Sequence, residues 1–251
     1  MLLIRKFIAK KNSFFRKLFK KKRIKKYLNH EYTIYYSKES DEELYSLSDS
    51  LTTNKGYSKN KLNSLDISEY QNYLDFYSDI FSLRRADVKK VFELGLGTVD
   101  KNLINNMSHM GEKYKPGDSL RLWRDYFYNA LIFGGDIDEK TLFQEKRIKT
   151  FKVDQNSSNS IKSMWDKISE KDFDIIIDDG CHRYEETINF FENSFDFLKI
   201  EGKYIIEDIL PSQMKKFLEY FKKSGLNYKF ISFKRPGVNP SNNNLIYITK
   251  T

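Results

Sequence analysis

The chain has 251 residues, enough to bury one substantial core, and its 16% aromatic content excludes general disorder. The formal net charge of +9 suggests a nucleic-acid binder, but twelve Lys and Arg lie between Arg5 and Lys26, ahead of the first acid at Glu31, and the remainder is mildly acidic. A single cysteine excludes an internal disulfide and agrees with a reducing, cytoplasmic compartment, while no apolar run approaches the roughly 20 residues of a membrane span. Charges interrupt every candidate signal-peptide core near the start.

Residues 1–28 place Ile4, Phe7, Ile8, Phe15, Leu18 and Phe19 at helical spacing among Lys and Arg. The pattern predicts a basic amphipathic helix suited to an anionic membrane surface; a solvated arm without a partner is the alternative. Nucleic acid is not an expected partner, because nothing downstream supplies base-reading elements. Residues 38–66 are polar and predict loop and linker. Tyr70, Tyr73, Leu74, Tyr77, Ile80 and Phe81 predict a helix over residues 67–83.

From Lys89 onward strands and helices alternate. Strands are predicted at Lys90–Leu94, Leu131–Ile137, Ile148–Val153, Phe173–Asp178 and Lys203–Glu207, each short and apolar as buried parallel strands are. Helical periodicity runs through Ile161, Met164, Trp165 and Ile168, then through Ile188, Phe191, Phe195 and Leu198. Pro211 opens a further helix that Gly225 ends, and Asn227–Phe233 with Leu245–Thr249 predict two closing strands. The fold class is α/β: a Rossmann-like three-layer sandwich with a mostly parallel sheet and a C-terminal antiparallel hairpin, preceded by a helical segment. The expected division is a basic arm at 1–30, a helical lid segment at 31–86 and the Rossmann-like domain at 87–251.

Ligands of open parallel sheets bind beyond the carboxyl ends of the strands, near the point where strand order reverses. The first predicted strand ends in Glu93-Leu-Gly95-Leu-Gly97. The third glycine of the NAD fingerprint is missing, with Asp100 in its place, which counts against a nucleotide-binding oxidoreductase. The second strand ends in Gly135-Asp136-Ile137-Asp138, an acid suited to ribose hydroxyls beside an apolar side chain suited to adenine. The third ends in Asp154-Gln155, able to read an adenine edge, the fourth in Asp178-Asp179-Gly180-Cys181-His182, and the fifth in Glu207-Asp208. Acids at five successive strand ends on one rim point to a polar ligand site. His182 reads either as a surface histidine capping the next helix or as a base beside the double acid.

These residues resemble class I S-adenosylmethionine methyltransferases, and more narrowly the macrocin and mycinamicin sugar O-methyltransferase family, with cephalosporin-hydroxylase-like proteins as distant relatives. The resemblance rests on Glu93-Leu-Gly-Leu-Gly, on Ser119-Leu-Arg-Leu-Trp-Arg-Asp-Tyr-Phe leading into Gly135-Asp-Ile-Asp, on Asp178-Asp-Gly-Cys-His and on Gly202-Lys-Tyr-Ile-Ile-Glu-Asp. Upstream, Thr53-Asn-Lys-Gly followed by Tyr73 is similar to the family's Thr-Asp-Lys-Gly and later tyrosine. Cys181 stands where the family has Ser or Ala, and reads as a small-residue replacement rather than a nucleophile.

The resemblance implies that Glu93, Gly95, Gly97, Asp136, Ile137, Asp154, Gln155 and Asp178 hold S-adenosylmethionine. It implies Mg²⁺ on Asp179, Glu207 and Asp208, and His182 as general base for a sugar hydroxyl, with the order of Asp178 and Asp179 between cofactor and metal left open. Trp123, Tyr126 and Phe127 are expected to pack a helix, and Arg121 and Arg124 to contact substrate. Expected partners are a sugar or nucleotide-sugar acceptor, an anionic membrane surface and a second copy of the chain. The Lys-, Asn- and Ile-rich composition and the arm suggest bacterial capsule or surface-polysaccharide assembly at the inner face of a membrane. A methyltransferase acting on another small molecule or natural product is the alternative. A base N-methyltransferase is disfavoured, since no Asp-Pro-Pro-Tyr or Asn-Pro-Pro-Tyr segment is present.

Overall fold

A computed structural model describes residues 24–27, 31–35, 43–56, 70–234 and 242–251, the first two stretches as backbone only. Ten strands form one mixed sheet: β1 (Ile24–Tyr27), β2 (Glu31–Tyr35), β3 (Lys90–Leu94), β4 (Leu131–Asp136), β5 (Gln144–Glu145), β6 (Ile148–Lys152), β7 (Phe173–Asp178), β8 (Leu198–Ile206), β9 (Asn227–Lys234) and β10 (Asn244–Thr249). Their spatial order is β1-β2-β9-β10-β8-β7-β3-β4-β6-β5. β8, β7, β3, β4 and β6 run parallel, and β9 and β10 close the sheet as the antiparallel hairpin. Strand order reverses between β3 and β7, where an open α/β sheet places its ligand.

Two apolar layers sandwich the sheet. Val91, Ile175, Ile177, Ile205 and Leu245 face one layer; Phe92, Leu94, Ile176, Tyr204, Ile206 and Ile246 face the other. Alternation at period two thus operates inside strands that read as unbroken apolar runs, because both faces are covered. The first layer contains α1 (Glu43–Ser48), α2 (Tyr73–Phe81) and α3 (Asp118–Tyr126). The second contains α4 (Ser158–Ile168), α5 (Tyr184–Ser194) and α6 (Met214–Ser224). Trp123, Tyr126 and Phe127 pack in the first layer, as expected.

The structure departs from the sequence reading at several places, among them Leu198, read as helix but part of β8, and Pro211, read as opening a helix that starts at Met214. The arm's predicted helix reaches residue 28, but Ile24–Tyr27 is a strand paired antiparallel with β2, and β2 pairs parallel with β9; residues 1–23 lie outside the described residues. The stretch read as linker contains α1, whose Leu44 and Tyr45 are buried in a helix too short to show a period. α2 starts at Tyr73 rather than near residue 67, because the Lys55 carbonyl accepts hydrogen bonds from the N–H groups of Tyr73 and Leu74. β8 starts at Leu198, which pairs with Phe173; a register shift between Phe173 and Ile175 absorbs the polar Lys199–Gly202 stretch that hid its beginning. Among the described residues no helix is long and apolar enough to cross a membrane.

Candidate active site

A cavity of about 330 Å³ opens at the carboxyl ends of β3, β4, β6, β7 and β8, a volume suited to a small molecule. Its two ends differ in chemistry. One is lined by Leu96, Asp136, Ile137, Val153 and Asp154; the other by Lys55, Tyr73, Asp179, His182, Glu207 and Asp208.

At the first end, Asp136 is nearly buried and accepts hydrogen bonds from the N–H groups of Leu96 (2.7 Å) and Asp138 (2.9 Å), which fix its carboxylate at the tip of β4. Gly95 has φ +92°, and a Cβ there would lie 2.0 Å from the Asp179 carbonyl oxygen. The β3 turn therefore packs backbone against backbone on the β7 turn, and only glycine permits that approach. Gly97, at φ +81°, gives way to the Tyr114 hydroxyl in the same manner.

Three residues expected to touch a cofactor are turned elsewhere. Glu93 is fully buried and lies outside the cavity lining; it accepts hydrogen bonds from Ser119 Oγ (2.5 Å) and Trp123 Nε1, so it anchors α3. Asp178 is also buried outside the lining and accepts from Gln155 Nε2 and the Gly180 N–H. Gln155 lines the cavity, but its amide is committed to Asp178 and, through Oε1, to the Cys181 N–H at 2.9 Å. It joins the β6 turn to the β7 turn instead of presenting a free edge. Arg121 and Arg124, expected to contact substrate, are bound to Glu145 and lie outside the cavity lining.

The second end gathers acids. Donor atoms of Asp179, His182 and Asp208 lie within 4.8 Å of one another; His182 Nε2 is 3.9 Å from Asp179 Oδ1 and 3.8 Å from Asp208 Oδ2. Two carboxylates and an imidazole are a competent donor set for a divalent cation. Glu207, expected as a third carboxylate ligand, borders the cavity with its oxygens engaged by Lys55 Nζ and the Tyr77 hydroxyl. His182 (φ 57°) and Asp208 (φ 55°) both hold left-handed backbone, sparsely populated for residues with a Cβ. Gln213 Nε2 donates to the His182 carbonyl, and the Asp208 N–H donates to Tyr73 Oη at 3.0 Å.

Sequence reasoning gave no role to Lys55 or Tyr77. Lys55 Nζ donates to Asp179 Oδ2 (2.7 Å) and to Glu207, and lies 3.7 Å from Glu93. Burial alone would lower the Lys55 pKa, but Asp179, Glu207 and Glu93 raise it well above its ordinary value, so it is an ammonium at neutral pH. The Tyr73 hydroxyl donates to Asp208 Oδ1 at 2.7 Å, and that of Tyr77 to Glu207. Burial and the neighbouring acids push both phenols up, so they remain donors.

No family model matches the chain. It is 31% identical over 140 residues to 8-demethyl-8-alpha-L-rhamnosyl tetracenomycin-C 2'-O-methyltransferase of Streptomyces olivaceus, a match covering 56% of this chain and 34% of that protein. It is 38% identical over 93 residues to demethylmacrocin O-methyltransferase of Streptomyces fradiae, covering 37% of this chain and 23% of the relative. The chain thus spans about a third or less of the length of these curated relatives. Among solved structures, MycE methyltransferase of the mycinamycin pathway, in complex with Mg, SAH and mycinamycin VI, is similar at a TM-score of 0.58 and 22% identity, over 83% of this chain and 53% of that one. The chain shares the Rossmann-like α/β fold of MycE methyltransferase. More narrowly, the sequence resembles the macrocin and mycinamicin sugar O-methyltransferases.

Burial pushes the Asp178 carboxyl up to about 7, with the Gly180 N–H opposing, against about 4 in an unfolded chain. Between those values the folded chain keeps a proton that the unfolded chain has released, so stability falls as pH rises from about 4 to 7. Asp178→Asn removes this contribution. The fall in urea midpoint between pH 5 and pH 7.5 is expected to be smaller in the variant; an equal fall would contradict the assignment.

Proposed function

We propose that the chain is an S-adenosylmethionine-dependent O-methyltransferase acting on a sugar hydroxyl, with a divalent cation and with His182 as general base. The observation that carries this reading is His182 Nε2 held beside Asp179 and Asp208 at one end of a cavity whose other end suits a nucleoside. The cavity fits the cofactor: Asp136 faces it where a ribose diol would lie, and Ile137 and Val153 supply apolar surface for adenine. Gly95, Gly97 and Asp154 complete the cofactor end.

The donor set of Asp179 and Asp208, with Glu207 at its border, fits Mg²⁺. Bound there, Mg²⁺ would lower the pKa of an acceptor hydroxyl and fix its position. S-adenosylmethionine supplies an already activated methyl group, which leaves alignment and proton removal to the protein. With that cofactor bound, His182 would take the acceptor hydroxyl's proton at Nε2, and the cofactor would give up its methyl group and leave as S-adenosylhomocysteine. Tyr73 keeps Asp208 oriented.

The relatives' names put the methylated sugar on a natural product, which supports a glycoside acceptor. A nucleotide-linked sugar or surface polysaccharide as acceptor, and a place at the inner face of a membrane, rest on the composition and the basic pattern of residues 1–28 alone. If that pattern binds membrane, deleting residues 1–23 abolishes salt-sensitive sedimentation with anionic vesicles; a truncated chain that still sediments contradicts it.

The enzyme reading is tested by calorimetry with S-adenosylhomocysteine and by methyl transfer to glycosides with and without Mg²⁺. S-adenosylhomocysteine should bind and chelation should suppress transfer. His182→Ala should lower kcat by about 10²–10⁴-fold with cofactor affinity nearly unchanged. No binding at millimolar S-adenosylhomocysteine would overturn the assignment, and full activity of His182→Ala in excess chelator would overturn the metal-and-base mechanism.

A further inference from the structure

Lys55 comes from a loop 124 residues away from Asp179 and 152 away from Glu207, yet bonds both. Its side chain is 2% exposed. A buried ammonium is costly unless carboxylates surround it, and three do. The same residue's carbonyl accepts hydrogen bonds from the Tyr73 and Leu74 N–H groups and so closes the first turn of α2. One residue thus bonds the acids through its side chain and, through its carbonyl, the helix that delivers Tyr73 and Tyr77 to Asp208 and Glu207.

Asp179 also belongs to the trio with His182 and Asp208. A cation drawn to Asp179 and Asp208 meets a carboxylate that already carries an ammonium, and the two positive charges repel across a few ångströms of buried space. Building on the metal-assisted reading above, we propose that Lys55 is the positioning residue of the cation site, fixing Asp179 and Glu207 while weakening the site's hold on a bare divalent cation.

The test uses Mn²⁺ as probe, with bound and free ion separated by electron paramagnetic resonance on the full chain. Lys55→Gln keeps a hydrogen-bond donor for the carboxylates without the charge, Lys55→Met removes both, and Lys55→Arg keeps the charge. Circular dichroism identifies which variants fold. The dissociation constant for Mn²⁺ should fall at least about tenfold in Lys55→Gln and Lys55→Met and stay near the wild-type value in Lys55→Arg. Mn²⁺ should also raise the melting temperature more in the two uncharged variants than in the wild type. Unchanged or weaker Mn²⁺ binding in a folded uncharged variant, with the wild type binding normally, overturns the role of Lys55 alone. Failure of the uncharged variants to fold even with Mn²⁺ present, while Lys55→Arg folds, overturns it too, since Lys55 would then be a structural cation only. If neither the wild type nor any folded uncharged variant takes up Mn²⁺, the cation site itself is removed, and the metal-assisted reaction with it.

Discussion

Carboxyl groups crowd the ends of three adjacent strands, with Glu93 on β3, Asp178 and Asp179 at β7, and Glu207 and Asp208 after β8. Four of the five are buried. Each buried carboxylate needs donors or a counter-charge within reach, since a low-dielectric interior penalises unpaired charge far more than the surface does. Much of the surrounding structure answers that need. Ser119 and Trp123 of α3 serve Glu93, Gln155 and the Gly180 N–H serve Asp178, and Lys55, Tyr73 and Tyr77 serve Asp179, Asp208 and Glu207.

This arrangement makes the segment before β3 part of the site rather than an appendage. α2 is aligned by the Lys55 carbonyl at one end and by two phenols on acids along its length, while its apolar face, with Phe76 and Phe81, packs on the sheet's first layer. Tyr77 also packs edge-on against Trp123, with ring centroids 4.9 Å apart, which ties α2 to the helix that Glu93 anchors. The left-handed backbone at His182 and Asp208 persists because Gln213 and Tyr73 hold it, and it turns both side chains into one corner of the cavity.

The parallel strands were legible because their Ile, Val and Phe runs are bounded by polar turns, and the rim of acids followed from those boundaries. The sequence reading treated all strand-end acids alike, and so did not foresee that Glu93 and Asp178 are buried among protein donors. Period-two alternation could have separated them: Glu93 shares a strand face with Val91 and so points at the first apolar layer, and Asp178 shares one with Ile176 and points at the second. Acids one residue beyond a strand, such as Asp179, escape that constraint and reach the cavity. Lys55 was not legible, since nothing in a Thr-Asn-Lys-Gly stretch announces partners more than a hundred positions away. β1 was hidden under the basic amphipathic pattern of residues 1–28, and β2 went unread because its partner β9 lies far along the chain.

The central claim is that donors from α2 hold the acids after β8, Asp208 and Glu207, in place. Hydrogen–deuterium exchange on a Tyr73→Phe/Tyr77→Phe variant tests it most directly, because both changes remove hydroxyls and keep the rings that pack the core. The account predicts faster exchange confined to residues 207–209, with Val91–Leu94 and Ile175–Ile177 as protected as in the wild type. Unaltered exchange at 207–209 would contradict it, as would uniform loosening of the whole sheet.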